Sequence, residues 1–162
     1  MDHVDKILAQ WRRERPDLDV TSMGLIGRVK RLTLTLSREM EKTWVEFGLN
    51  AASFDVLATL RRSGEPFSLS PGELMASTMV TSGTMTNRID QLEKNGLVER
   101  RQSPDDRRSF LISLTKEGFR VIDEAVTAHV QTQTRLISGL SEDERGQLDR
   151  LLKTFLVDVE EG

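Results

Sequence analysis

Between residues 70 and 96 the chain carries the punctuation of two short helices separated by a turn, and no other stretch restricts the fold as tightly. Ser70 and Glu73 have capping-box spacing, and Pro71 falls at the first helical position, where its missing N–H costs nothing. A helix is therefore predicted from 71 to near Ser77. After Met79-Val80, Thr81 or Ser82 caps a second helix through Asn95, and Gly96 ends it in a left-handed conformation. Two short helices joined in this way have the shape of a helix-turn-helix. Leu97-Val98-Glu99-Arg100-Arg101-Gln102 then reads as a strand and Ser103-Pro104-Asp105-Asp106 as a turn. Phe110, Ile112 and Leu114 alternate along a returning strand, which Thr115 converts into a helix start. A β-hairpin directly behind a helix-turn-helix is a wing.

Helical periodicity governs the rest of the chain. Residues 3–14 carry a stripe of Val4, Ile7, Leu8 and Trp11 that stops at Arg15-Pro16, since the residue before a proline is pushed out of the α region. A long helix from about Ser22 to Phe47 repeats Leu25, Val29, Leu32, Leu36, Met40 and Trp44, with Gly48 closing it. A third, from Ala52 or Ser53 to Arg62, buries Phe54, Leu57 and Leu60. The final third is two helices, 116–138 and 142–160; the second opens on a capping box of Ser141 and Glu144 and repeats Leu148, Leu151, Leu152, Phe155 and Val159. The fold class is mostly α with a small β-hairpin wing: a winged helix-turn-helix embedded in a helical dimerisation body. Three regions follow: N-terminal helices at 1–50, the winged helix-turn-helix at 51–115, and C-terminal helices at 116–162. The amphipathic helices at 22–47, 119–138 and 142–160 present more apolar faces than one small winged helix can cover, so a twofold assembly of the chain is expected.

Composition closes off most other chemistries. The 162 residues contain no cysteine, so disulfides, thiolate nucleophiles and thiol redox sensing are excluded. His3 and His129 lie far apart, and no ligand spacing suggests a metal; no cofactor is expected either. No phosphate-cradling glycine loop is present, there is no tyrosine, and the Asp105-Asp106 pair falls on an exposed turn rather than in a cleft, so the chain reads as a non-enzyme. No apolar run approaches the ~18 residues of a membrane span. The opening Met1-Asp2-His3-Val4-Asp5 lacks the order of a signal peptide, so a cytoplasmic protein is expected. The net charge of −3 hides a gradient: residues 1–60 are neutral, 61–120 carry +2 and 121–162 carry −5. The acidity belongs to the C-terminal helices and the helix-turn-helix is slightly basic, which matters because only the field within a Debye length acts on a polyanion.

The second helix of the helix-turn-helix holds the candidate reading surface. Met85, Ile89 and Leu92 form its buried face, while Ser82, Thr84, Thr86, Asn87 and Arg88 offer short hydroxyls, an amide and a guanidinium, groups that read base edges or bind phosphate. On the wing, Asp106, Arg107 and Arg108 sit at the hairpin tip, where a long cation reaches into a narrow minor groove and Asp106 holds Arg108 extended. Taken singly, each feature also fits a solvated polar face or a self-paired turn; their succession favours double-stranded DNA.

With Leu69-Ser70-Pro71-Gly72-Glu73-Leu74, the run Thr81–Glu93, Gly96-Leu97-Val98-Glu99-Arg100, Asp105-Asp106-Arg107-Arg108 and Leu114-Thr115-Lys116-Glu117-Gly118 in view, the chain resembles the MarR family of winged-helix transcriptional regulators over about 25–160. The resemblance implies a homodimer of interlocked N- and C-terminal helices. Its recognition helices (Ser82, Thr84, Thr86, Asn87, Arg88) would enter successive major grooves, and its wings, through an Asp-x-Arg pair at Asp106 and Arg108, the adjacent minor grooves. It further implies a repressor on a pseudo-palindromic operator, released by a small aromatic or phenolic anion. The additional N-terminal helix with Trp11, together with Asp55, Arg88 and Arg100, is similar to the urate-responsive branch. There Trp11 would stack on the purine, a cation would pair with its charge, and Asp55 would bridge to Arg88. Core packing for Trp11 and phosphate contact for Arg88 are the competing assignments. The alternative function is a winged helix that docks a protein without DNA specificity; an exposed apolar residue at 84 or 86 would favour it, and both positions are threonine.

Overall fold

The computed structural model describes residues 1–78, 82–104 and 109–161, with only the backbone described at 82 and 83. The described residues form seven helices and three short strands in the order α1 (His3–Glu14), α2 (Thr21–Val45), α3 (Ala51–Arg62), β1 (Ser68–Leu69), α4 (Pro71–Ser77), α5 (Ser82–Lys94), β2 (Val98–Gln102), β3 (Phe110–Leu114), α6 (Lys116–Leu136) and α7 (Glu142–Glu161). The mostly helical architecture with a hairpin wing is the one predicted. The chain divides into two compact units, Met1–Lys42 and Thr43–Gly162.

In the first unit Asp2 caps α1: its carboxylate accepts from the Asp5 backbone N–H at 2.9 Å, and Asp5 returns the bond to Asp2 N at 2.8 Å. Arg28 on α2 donates to both carboxylates, which ties the start of α1 to α2. Val4, Leu8 and Val20 make the small core. The backbones approach closely because α2 presents glycine there. A Cβ at Gly24 would lie 3.0 Å from Leu8 Cδ1, and one at Gly27 would lie 3.4 Å from Val4 Cγ1. The predicted stripe on α1 is only half buried: Ile7 and Trp11 remain exposed within the unit, Trp11 at 41%. Leu25 and Leu32 on α2 are exposed as well.

The second unit is built around α3, whose Phe54, Val56, Leu57 and Leu60 are buried among Leu74, Met85, Ile89, Leu92, Val98, Ile112, Leu114 and Ile122. Asn50 and Ser53 form its reciprocal cap. The predicted hairpin is present, with Val98 opposite Leu114, Arg100 opposite Ile112 and Gln102 opposite Phe110. A third strand, β1, pairs with the other edge of β3 through Ser68 and Leu69, giving the order β1-β3-β2. The Ser68 and Ser113 hydroxyls meet there at 2.6 Å. Two residues are too few to show a period-2 pattern, so β1 left no trace in the sequence.

Three helices end earlier than predicted, α5 by a single residue at Lys94. α2 stops at Val45 because Leu49 N turns back to the Trp44 carbonyl at 3.0 Å, with Gly48 at φ +69°. α6 stops at Leu136, and a short turn follows to α7. Trp44 stacks on Phe54 and donates its indole N–H to His129 Nδ1 at 3.2 Å; burial lowers the His129 pKa, consistent with a neutral, accepting imidazole. The last helix has no buried residue, and Leu148, Leu151, Leu152, Leu156 and Val159 all lie open. Among the described residues no helix is long and apolar enough to cross a membrane, and no cluster of His, Asp or Glu is arranged to hold a metal ion.

Candidate nucleic-acid interface

Positioning of the reading surface begins with α4. Ser70 and Glu73 cap it reciprocally, and the Ser70 backbone N–H, donating to Glu73 at 2.8 Å, holds that carboxyl below the ordinary carboxylate range. At its other end Arg62 donates to the Ser77 carbonyl at 2.8 Å. The turn residues Met79, Val80 and Thr81 lie outside the described residues.

Met85, Ile89 and Leu92 anchor α5, each no more than 3% exposed. Successive helical residues rotate by about 100°, so burial of that stripe turns Thr84, Thr86 and Asn87 outward, and all three are exposed. The Ser82 side chain falls outside the described residues. Arg88 behaves differently from Thr84, Thr86 and Asn87. It stands three residues after Met85 and four before Leu92, beside the buried stripe, and is only half exposed. Its Nη1 is buried without a hydrogen-bond partner.

That guanidinium lines a cavity of about 240 Å³ enclosed by Gly48, Leu49, Asn50, Ala52 and Ser53 at the start of α3 and by Gln91, Leu92, Asn95 and Leu97. Arg88, Gln91 and Asn95 recur along one flank of α5, and the cap residues Asn50 and Ser53 face them. A buried guanidinium N–H without a partner is an expensive arrangement, and a hydrogen-bond acceptor in the cavity, an anion included, relieves it. Asp55 and Arg100 do not line this cavity, and among the described residues Asp55 forms no ion pair with Arg88. The predicted bridge between them is therefore absent. Trp11 belongs to the first unit, where it is exposed.

Arg100 is occupied elsewhere. From β2 its guanidinium pairs with Asp90 and Glu93 on the opposite flank of α5, and its backbone N–H donates to Glu93 at 3.2 Å. The same group lies over the Phe110 ring of β3, 5.7 Å from its centroid. One side chain thus joins the reading helix to both strands of the wing. Asp90 and Glu93 were not among the predicted site residues; their signal was two acids three apart on one helix flank with an arginine in the next strand. Beyond Gln102 the ladder continues to a Ser103 N to Ser109 O bond of 3.0 Å. The tip, with Asp106, Arg107 and Arg108, lies outside the described residues.

Comparison with known proteins agrees with this geometry. The profile of the MarR family matches residues 49–110. The HTH-type transcriptional regulator PecS of Dickeya dadantii is 42% identical over 149 residues, 92% of this chain and 90% of that protein. Among solved structures, a cysteine-to-serine mutant of MarR from E. coli complexed with operator DNA superposes with a TM-score of 0.71 at 26% identity, covering 90% of this chain and 97% of that one. BpsR of Bordetella bronchiseptica, whose DNA binding is regulated by 6-hydroxynicotinic acid, superposes with a TM-score of 0.69 at 26% identity, over 80% of this chain and 90% of that one.

Proposed function

This chain belongs to the MarR family of transcriptional regulators, and on that footing we propose that it is a cytoplasmic repressor acting as a homodimer on a pseudo-palindromic operator, released by a small aromatic anion such as urate. The observation that carries the DNA reading is the outward row Thr84, Thr86 and Asn87 on a helix whose opposite face is locked into the core. Backbone and hydroxyl groups near the N-terminus of α5 bind phosphate, and the Asn87 amide reads a base edge. Ser82 contributes at the same end, and Asp106, Arg107 and Arg108 supply the minor-groove contact of the wing. The bare apolar residues of α2 and of α7 support the dimer. A twofold assembly sets two reading helices about one DNA turn (~34 Å) apart.

The buried, unpartnered nitrogen of Arg88 supports the effector reading. An anion in the adjoining cavity binds to the reading helix itself, so it need favour only one orientation of that helix to change DNA affinity. BpsR responds to 6-hydroxynicotinic acid, an aromatic acid of the same class. Trp11, Asp55 and Arg100, the other residues of the urate-like pattern, do not line this cavity, so the effector assignment rests on Arg88.

Asn87→Ala tests the DNA reading. Fluorescence anisotropy on a selected duplex should show a loss of ~1–3 kcal/mol together with relaxed preference at one base position. An equal loss on selected and random duplexes would leave Asn87 as a phosphate-positioning contact only, and no loss on either would remove it from the interface.

A further inference from the structure

The segment Leu114–Gly118 lies outside the reading surface, yet it holds the end of the reading helix. The Thr115 hydroxyl donates to the Gly96 carbonyl at 2.6 Å, and the Thr115 backbone N–H donates to the Leu97 carbonyl at 3.1 Å. The same hydroxyl oxygen accepts from Gly118 N at 2.9 Å, capping α6. Gly118 is buried against this join: a Cβ there would lie 1.8 Å from the Leu97 carbonyl oxygen and 2.8 Å from its carbon. Backbone meets backbone at that point, so no side-chain rotation relieves a substitution. The turn that follows α5, the start of β2 and the first turn of α6 are thereby fastened into one joint, and α6 continues from it for 21 residues.

We infer that Thr115 and Gly118 are positioning residues that fix the direction of the reading helix against α6 and so set the half-site separation the protein accepts. The inference rests on the twofold reading proposed above. Magnitudes favour an effect on spacing. Restoring ordinary contact of 3.4 Å from 1.8 Å separates α6 from the Leu97 backbone, between α5 and β2, by roughly 1.6 Å. For a displacement along the DNA axis, twofold symmetry doubles this to about 3 Å, close to the ~3.4 Å rise of one base pair. Side chains on the outer face of α5 would be unchanged, so base preference within each half-site should persist while the preferred gap between half-sites shifts.

The test uses the full-length protein and three duplexes that carry selected half-sites at the preferred spacing and at one base pair more or less. Gly118→Ala and Thr115→Asp are compared with Thr115→Ser. Aspartate still caps α6 but has no proton for the Gly96 carbonyl, whereas serine keeps both bonds. Gly118→Ala and Thr115→Asp should lose about tenfold or more at the preferred spacing and little or nothing at one of the others, so that the ranking of spacings changes; Thr115→Ser should keep the wild-type ranking. Loss of equal size at all three spacings, or an unchanged ranking in folded variants, would overturn the inference. If Gly118→Ala does not fold, Thr115→Asp decides alone. A wild-type protein indifferent to spacing would contradict the twofold reading itself, an outcome separate from any variant.

Discussion

Arg88 departs from the row in which the sequence placed it. Ser82, Thr84, Thr86, Asn87 and Arg88 read as one polar face, yet burial of Met85 and Leu92 draws Arg88 into the flank, with a nitrogen sealed from partners. A bound anion should therefore stabilise the protein measurably. At a ligand concentration near a hundred times Kd the gain is about 2.7 kcal/mol, or a rise in melting temperature of roughly 5–10 °C for a chain of this size. Urate, salicylate and 6-hydroxynicotinic acid serve as probes in a thermal-shift experiment. Arg88→Ala should abolish the rise. A rise that survives Arg88→Ala would move the effector to another site.

At the scale of elements, the reading helix and the wing act as one piece because Arg100 spans them. Its partners are partly exposed, with side chains of Arg100, Asp90 and Glu93 at 30%, 57% and 37%, so stability should fall by no more than about 1 kcal/mol in Arg100→Ala. DNA affinity should fall further, through loss of the helix-to-wing geometry, while the dependence on salt stays as in the wild type, since a guanidinium already neutralised by two carboxylates displaces no counterion. Arg108→Ala should do the opposite and flatten the salt dependence by about one phosphate. Parallel changes in salt slope for the two variants would make Arg100 a phosphate contact and not a brace. The elements themselves were legible in the sequence, because caps and terminators are local signals: Ser70-Pro71-Gly72-Glu73, Gly96 and Ser141–Glu144 each mark a boundary that the structure keeps. Apart from the hairpin, whose strands are joined by a short turn, pairings between elements were not legible. The contact of Thr115 with Gly96, the reach of Arg100 to α5 and the two-residue β1 all depend on chain segments meeting in space, which no local pattern records.

For the molecule as a whole, the sequence predicted apolar faces in excess of one winged helix, and α7 bears this out with Leu151 at 65% and Leu156 at 57% exposed. Leu151→Glu should leave the helical circular dichroism of the chain intact, yield a monomer in sedimentation, and lower operator affinity by about a hundredfold or more, because two linked half-sites bind far more tightly than one. A dimer that persists in this variant would shift the interface away from α7.

The account's central claim, that a twofold pair of these reading helices recognises DNA sequence, is tested most directly by selecting duplexes bound by the wild-type protein from a random pool at moderate salt. The expected product is a pair of inverted half-sites with centres about one helical turn (10–10.5 base pairs) apart, bound more tightly than random duplex by about 10³-fold or more. A pool that emerges without enriched sequence, bound no better than the starting mixture, would contradict it.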